Sequence, residues 1–425
     1  MEPAVRENYL SVLRSELITA LGCTEPIAIA YAAARARQVL GEFPERATVL
    51  CSGNIVKNVK SVTVPISGGM VGIEIAAILG IVGGDADAKL EVLSSITEAH
   101  RTQARELLKR HFCQCRLATG VDNLYVDVTV ESPEHTAQVI VMNRHTLITR
   151  VVKDGEVLFA HEPMNREARV KGLDMTMAEI VEFARTVDFA DIREVIGRQA
   201  ELNQAISQEG LTGKYGARIG YLLRSAYGDD IKIRAIAAAA AGSDARMNGC
   251  ALPVVINSGS GNQGMTVSLP VLEYAKELGA DQEQTYRALV ISNLVSIHIK
   301  RNIGDLSAFC GAVSAACGAG AAITFLYGGS LEQISNTVIN TLANVGGILC
   351  DGAKASCAAK IASSLNAAIL GHTMSMAGIV FGSEEGIVQE DVERTIKSMG
   401  YIGRTGMAGT DVEILKVMLG EAQVD

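Results

Sequence analysis

Residues 306–331 read LSAFCGAVSAACGAGAAITFLYGGSL, an uncharged run as long as any in the chain. Its length raises the question of a membrane span. The run holds five glycines and is dominated by alanine rather than leucine or isoleucine, a composition suited to close packing inside a protein. A buried helix starting near Cys310 is expected, with Cys317 two turns inside it as a small core residue. The chain has no Trp and only 4% aromatic residues, which fits cores of small side chains that can enclose a cofactor without large voids.

The next informative stretch is GGILCDGAKASCAAK at 346–360. Seven residues along a helix span about 10 Å, so Cys350 and Cys357 can serve one small cluster only if the chain between them is not helical. Asp351-Gly352 is a turn signal, and helical periodicity resumes only at Cys357, so both thiols can point inward. Grouped soft thiolates without closely spaced His/Cys pairs suit iron–sulfur ligation better than a structural zinc site. Cys310, Cys350 and Cys357 would leave one iron of a four-iron cluster open to substrate, with Cys23 in LGCTEP (21–26) available for proton chemistry. From spacing alone, the same cysteines read equally well as small buried hydrophobes. Cys51, Cys113, Cys115 and Cys250 read as core residues.

The chain carries 38 Lys+Arg against 47 Asp+Glu, a net charge of −9, with the basic residues scattered. Nucleic acid is therefore not an expected partner. Nine cysteines read as reduced thiols, the odd count opposing a fully paired disulfide framework. The N-terminal MEPAVRENYLSVLRSELITA lacks the basic start and apolar middle of a signal peptide. A cytoplasmic homo-oligomer acting on a small molecule, with no membrane partner, is expected.

The pattern along the chain predicts an α+β, predominantly helical fold. A helical catalytic domain (1–84 and 166–425) carries a small inserted α+β subdomain (85–165). Gly22 is expected to end one helix, with Thr24 capping the next and Pro26 in its first turn. In LYVDVTVE, Val126, Val128 and Val130 share one strand face, and Asp154-Gly155 signals a hairpin. After Met175 long amphipathic patterns resume, broken at segments that include GSDARMNGC and INSGSGNQGM.

LGCTEP, CGAVSAACGAGA and CDGAKASCAAKI, in this order, resemble the L-cysteine desulfidase family, part of a wider group related to the α-chain of iron–sulfur L-serine dehydratases. The resemblance covers nearly the whole chain. It implies a [4Fe–4S] enzyme that converts L-cysteine to pyruvate, ammonia and sulfide without pyridoxal phosphate. Carried over by motif, Cys310, Cys350 and Cys357 are the cluster ligands and Cys23 handles the proton. The serine dehydratases have Cys-Asp-Pro where this chain has Cys350-Asp351-Gly352, and a longer gap to the last ligand, so the choice between Cys357 and Cys23 as third ligand stays open.

The residues also suit the chemistry on their own. An open iron would act as a soft Lewis acid toward the substrate sulfur, and a thiol at a helix N-terminus is expected to have a lowered pKa and to serve as base. Asn257, Ser258, Gly259, Ser260, Gly261 and Asn262 form a glycine-polar cradle for the substrate carboxylate. Asn54, Lys57 and Asn58 form a candidate clamp. Thr24 and Glu25 stand beside Cys23, where Glu25 can meet the substrate ammonium, and His298 and His372 are candidates for a supporting layer. The nearest rival is an iron–sulfur L-serine ammonia-lyase. A rival of another class is an iron–sulfur or thiol redox sensor, for which no output module is recognisable.

Overall fold

The computed structural model describes residues 1–161, 175–304 and 306–422. Helix α1 (Pro3–Glu16) leads through strand β1 (Thr19–Leu21) into α2 (Thr24–Leu40). Strand β2 (Arg46–Ser52), α3 (Gly53–Val59), α4 (Ile73–Gly83) and α5 (Glu98–Lys109) precede β3 (Cys113–Ala118), β4 (Tyr125–Glu131), β5 (Thr136–Met142), β6 (Ile148–Lys153) and β7 (Glu156–Ala160). Helices follow: α6 (Met177–Thr186), α7 (Phe189–Leu211), α8 (Ile219–Tyr227) and α9 (Ile231–Met247). After β8 (Pro253–Val255) come α10 (Gly261–Leu278), α11 (Gln282–Ile303), α12 (Gly311–Leu326), α13 (Leu331–Val345), α14 (Cys357–Met376), α15 (Val392–Tyr401) and α16 (Ala408–Leu419). The fold is thus predominantly helical with a small mixed sheet, and no helix among the described residues is long and apolar enough to cross a membrane.

The sheet runs β3-β2-β4-β5-β6-β7, with β2 parallel to β3 and the other pairs antiparallel. Val126, Val128 and Val130 are fully buried on one face, as their alternation predicts. Strand β2 comes from before residue 85, so the sheet draws on more than the segment 85–165. Its alternate residues Ala47, Val49 and Cys51 are buried, giving it the two-residue period of a sheet strand. The expected boundary between 165 and 166 lies outside the described residues.

Helix α2 ties the sheet to the helical body. It is buried continuously from Thr24 to Ala34, the signature of a helix enclosed on all sides, and packs against α4 and against β4 and β5. Its start is set by β1, which pairs antiparallel with β8 in the register Thr19↔Val255. Gly22 therefore follows a strand rather than a helix. Helix α1 ends at Glu16 because residues 18–21 are taken into pairing with 253–256, a contact between segments far apart in sequence. Gly22 still needs its left-handed φ of 60°, and a Cβ there would meet the Pro65 ring at 2.1 Å.

Glycines inside helices mark where backbones touch. A Cβ on Gly318 would lie 2.2 Å from the Ser292 carbonyl oxygen, joining α12 to α11, and one on Gly80 would lie 2.2 Å from that of Ala30, joining α4 to α2. A helix-interior glycine ordinarily costs about 1 kcal/mol relative to alanine, and the close approach is what offsets it here. Gly318→Ala should therefore destabilise the protein by about 1–3 kcal/mol, the usual range for overpacking, instead of gaining helix propensity. Urea denaturation of the variant measures this, and unchanged or increased stability would show that α11 and α12 are not in backbone contact.

Candidate active site

Four helices begin at one place. Cys23 is the N-cap of α2, Ser260 of α10, Cys310 of α12 and Ser356 of α14, and none of the four makes a side-chain cap hydrogen bond. By contrast α5, α9, α11 and α13 are capped by Thr97, Asp230, Asp281 and Ser330. Uncapped helix starts present backbone N–H groups and the positive end of the helix dipole.

The loops carrying Cys310 and Cys350 are laced together. Phe309 and Leu349 form an antiparallel bridge, Cys310 N donates to Ile348 O at 3.0 Å, and Cys350 N donates to Ala308 O at 2.7 Å. The two thiols consequently meet: Cys310 hydrogen-bonds to Cys350, which pushes the Cys310 thiol well up and holds Cys350 down to about 6, with Lys57 and Lys300 adding to the latter. Cys357 opens α14, where its sulfur accepts from Lys354 N at 3.4 Å. It is close enough to exchange electrostatic influence with Cys350, while burial raises its own thiol. Gly352 makes the return possible. Its φ is 97°, and a Cβ there would lie 2.4 Å from Lys57 O. Cys317 is fully buried within α12.

Across from these thiols sits a second buried group. The Cys23 thiol donates to Glu25 Oε2 at 3.1 Å, Thr24 Oγ1 donates to the same oxygen at 3.1 Å, and Asn58 Nδ2 donates to Glu25 Oε1 at 2.9 Å. Burial, followed by the Glu25 charge, drives the Cys23 thiol well above its ordinary value, against the pull of Arg246. This corrects the expectation of a dipole-lowered thiolate, because an enclosed site beside a carboxylate outweighs the helix end. Burial acts to raise Glu25 too, but His145, the Cys23 hydrogen bond and Arg246 overcome it and hold the carboxyl below its usual range. At neutral pH the pair is a thiol donating to a carboxylate.

The remaining expected residues divide. The one Thr24 hydroxyl proton is shared between Glu25 Oε2 and the nearer Gly259 O at 2.9 Å, docking the 257–262 loop on the start of α2. Asn257 is committed to the core: its Nδ2 donates to Asn293, and its Oδ1 accepts from Ser258 and Ser296. It braces a turn closed by reciprocal Asn257–Ser260 backbone bonds, in which Ser258 has a φ of 48°. Gly261 opens α10, and its missing Cβ would lie 2.3 Å from Arg246 Nε. Asn54, Asn58 and Asn262 each keep a buried Oδ1 without a hydrogen-bond partner. Lys57 is not an open clamp: Nζ donates to Asp411 Oδ1 at 2.5 Å and to Cys350 O at 3.4 Å, while Asp411 Oδ2 accepts from Ala308 N. His298 pairs with Glu393, and His372 with Thr324.

Sequence reasoning missed Arg246, Gln263 and Asp411. Gln263 directly follows the glycine-polar loop and lay one residue beyond it. Arg246 lies in GSDARMNGC, expected as a break although α9 continues through it to Met247, and nothing in the spacing separates it from other arginines.

Among the described residues no three His, Cys, Asp or Glu side chains close around a single metal ion. A four-iron cluster makes a different demand, since each protein thiolate takes a separate iron. The donor set fits that demand: three thiols from two laced loops, with Lys57 and Arg246 buried nearby and Lys300, Lys354 and Lys360 acting on the same sulfurs. Lys354 Nζ is buried without a hydrogen-bond partner. Such a basic ring suits a group made anionic by its thiolates.

Residues 87–416 match the family described as serine dehydratase alpha chain. The chain is 52% identical over 414 residues to a UPF0597 protein of Lachnoclostridium phytofermentans, covering 97% of this chain and 99% of that one. It is 46% identical over 419 residues to a UPF0597 protein of Desulfitobacterium hafniense, covering 98% and 97%. A UPF0597 protein of Finegoldia magna is 45% identical over 415 residues, covering 97% and 99%. With most of its length matched by the family and nearly all of it by these relatives, the chain belongs to the serine dehydratase alpha chain family, alongside the UPF0597 proteins.

Proposed function

We propose that this chain is a lyase that β-eliminates a small L-amino acid bearing a leaving group on Cβ, yielding pyruvate and ammonia, with Cys310, Cys350 and Cys357 holding a [4Fe–4S] cluster. The observation that carries this reading is the meeting of Cys310 and Cys350, with Cys357 within electrostatic reach, beside the buried Cys23–Glu25 pair. L-serine is the first choice of substrate. The family description supports it, and so does the protonation of Cys23, because a hydroxyl leaves only with the help of an acid. L-cysteine, with sulfide as product, is the second reading, supported by the short Cys350-Asp351-Gly352 to Cys357 return that resembles the desulfidases.

When bound, the cluster would supply a Lewis acid that draws electrons from the leaving group. The chain supplies the proton chemistry. Passing the Cys23 proton to Glu25, an uphill step given the raised thiol and the lowered carboxyl, frees a thiolate only transiently, and this thiolate takes the proton from Cα as the Cβ bond breaks. The electron pair of the C–H bond becomes the new double bond, and the proton on Glu25 is available to the departing hydroxyl, which leaves as water. The aminoacrylate formed tautomerises to an imine and hydrolyses to pyruvate and ammonia. Pyruvate release by the anaerobically reconstituted protein tests the reading. A higher kcat/KM for L-serine supports the first substrate, a higher value for L-cysteine with stoichiometric sulfide moves the assignment to the second, and no pyruvate from either overturns the lyase.

Cys310→Ala and Cys350→Ala should each prevent stable cluster assembly, whereas Cys317→Ala should retain full iron and sulfide. Iron and acid-labile sulfide assays decide this, and full loading of either of the first two variants would remove that residue as a ligand.

Cys23→Ser and Glu25→Gln should keep the cluster absorbance and lose about 10²–10⁴-fold in kcat, the range for a general acid–base group. Because Glu25 stays ionised below the usual carboxylate range, the wild-type acid limb should fall only at a pH below that range. Because the Cys23 thiol keeps its proton above its ordinary value, that thiol should introduce no alkaline limb near its ordinary value. A kcat profile that loses activity through the ordinary thiol range in wild type but not in Cys23→Ser would contradict this pairing.

A further inference from the structure

Arg246, in the last turn of α9, is 3% exposed. The described residues give it one hydrogen bond, from Nε to Gly22 O at 3.0 Å, and no ion pair. The outer nitrogens of its guanidinium, a fork matched to a carboxylate, are thus without a described partner in the interior. Glu25 and Cys357 lie within its electrostatic reach, but Glu25 already accepts from Cys23, Thr24 and Asn58. A buried cation in this setting calls for a further anion.

The start of α10 meets the same guanidinium. Gly261, its first residue, leaves room that a Cβ would fill at 2.3 Å from Arg246 Nε. Ser260 provides no side-chain cap for this 18-residue helix, so its first N–H groups are available to an anion. Gln263, in the first turn, is 6% exposed with Oε1 lacking any hydrogen-bond partner. It faces the start of α12, since a Cβ on Gly311 would touch its amide at 2.6 Å. Arg246, the N-terminus of α10 and Gln263 therefore adjoin the thiol pocket as an anion donor set with an acceptor next to it.

We propose that Arg246 and the uncapped start of α10 form the subsite for the α-carboxylate of the amino-acid substrate, with Gln263 Oε1 accepting from its ammonium group. The proposal rests on the lyase reading and adds the element that orients Cα toward Cys23. It also separates two roles within the loop: Asn257 braces the turn, while the backbone after Ser260 receives the ligand.

The test uses the anaerobically reconstituted protein with L-alanine, which has no leaving group, and L-alaninamide, which lacks the carboxylate. Binding is read by calorimetry and by protection against thermal unfolding. Wild type should bind L-alanine at least 10-fold tighter than the amide. Arg246→Gln should lose about 100-fold in L-alanine affinity, in line with removing one member of a buried charge pair, leave amide binding unchanged and retain iron. Arg246→Lys should recover part of the loss. If Arg246→Gln does not fold, Gly261→Ala, which displaces the guanidinium, should show the same selective loss. Retained preference for the acid in an iron-loaded Arg246→Gln overturns the proposal, and loss of iron in that variant overturns it in favour of a charge partner for the cluster. Wild type that forms pyruvate without distinguishing acid from amide sinks this subsite alone, whereas wild type that neither forms pyruvate nor binds alanine sinks the lyase reading.

Discussion

Backbone-to-backbone contact between helices is the constraint on which this molecule rests. At Gly80 and Gly318 the absent side chain admits a carbonyl of the neighbouring helix to 2.2 Å of where a Cβ would stand, and at Gly264 it admits one of strand β8 to 2.0 Å. Large apolar side chains would hold these helices at the 8–10 Å interaxial distance typical of packed helices. Alanine and glycine let them close further, and the chain with no Trp builds its interior in this way. Gly264 sits in the first turn of α10, and Gly318 two turns into α12, so the same contacts that hold the body together fix where those helices begin.

That geometry has an electrostatic consequence. The starts of α2, α10, α12 and α14, unsealed by their own N-cap side chains, favour negative charge in the space between them. Thiolates, the Glu25 carboxylate and a substrate carboxylate all suit such a space. The opposing influence is desolvation, and its outcome differs by residue. Cys350, in the loop before α14, has a thiol donor and lysines nearby and is held down to about 6, whereas Cys23, at a helix start, is buried beside a carboxylate and is pushed up. Position at a helix N-terminus does not by itself set the state of a thiol; burial and the hydrogen-bonding and charged neighbours do.

The readable part of this site was local. Cys310 as a helix start, Cys317 as a core residue and the turn at Asp351-Gly352 follow from patterns within a dozen residues, and so does the alternating face of β4. The unread part depends on pairings between distant segments. Strand β2 joins β3 in parallel and β4 antiparallel across more than sixty positions of sequence, β1 finds β8, and Lys57 finds Asp411. Gly22 was misassigned because a glycine with positive φ serves equally well after a helix or after a strand. Arg246 was illegible for a simpler reason: its significance lies in what it does not pair with, and only a folded chain reveals that.

The state of the Cys23–Glu25 pair also bears on which bond the site is suited to break. A thiolate is a competent leaving group and needs little protonation, so an enzyme built solely for sulfide release could leave its acid–base group already deprotonated. Here the thiol is kept protonated by burial and by a carboxylate that is itself kept charged. One proton is thus stored within 3.1 Å of a carboxylate oxygen that can take it transiently while the thiolate acts. The same two atoms can remove a proton from Cα and return one to a departing oxygen. That double use matters for water as a product and is nearly superfluous for sulfide, which supports the proposed β-hydroxyl substrate over the thiol.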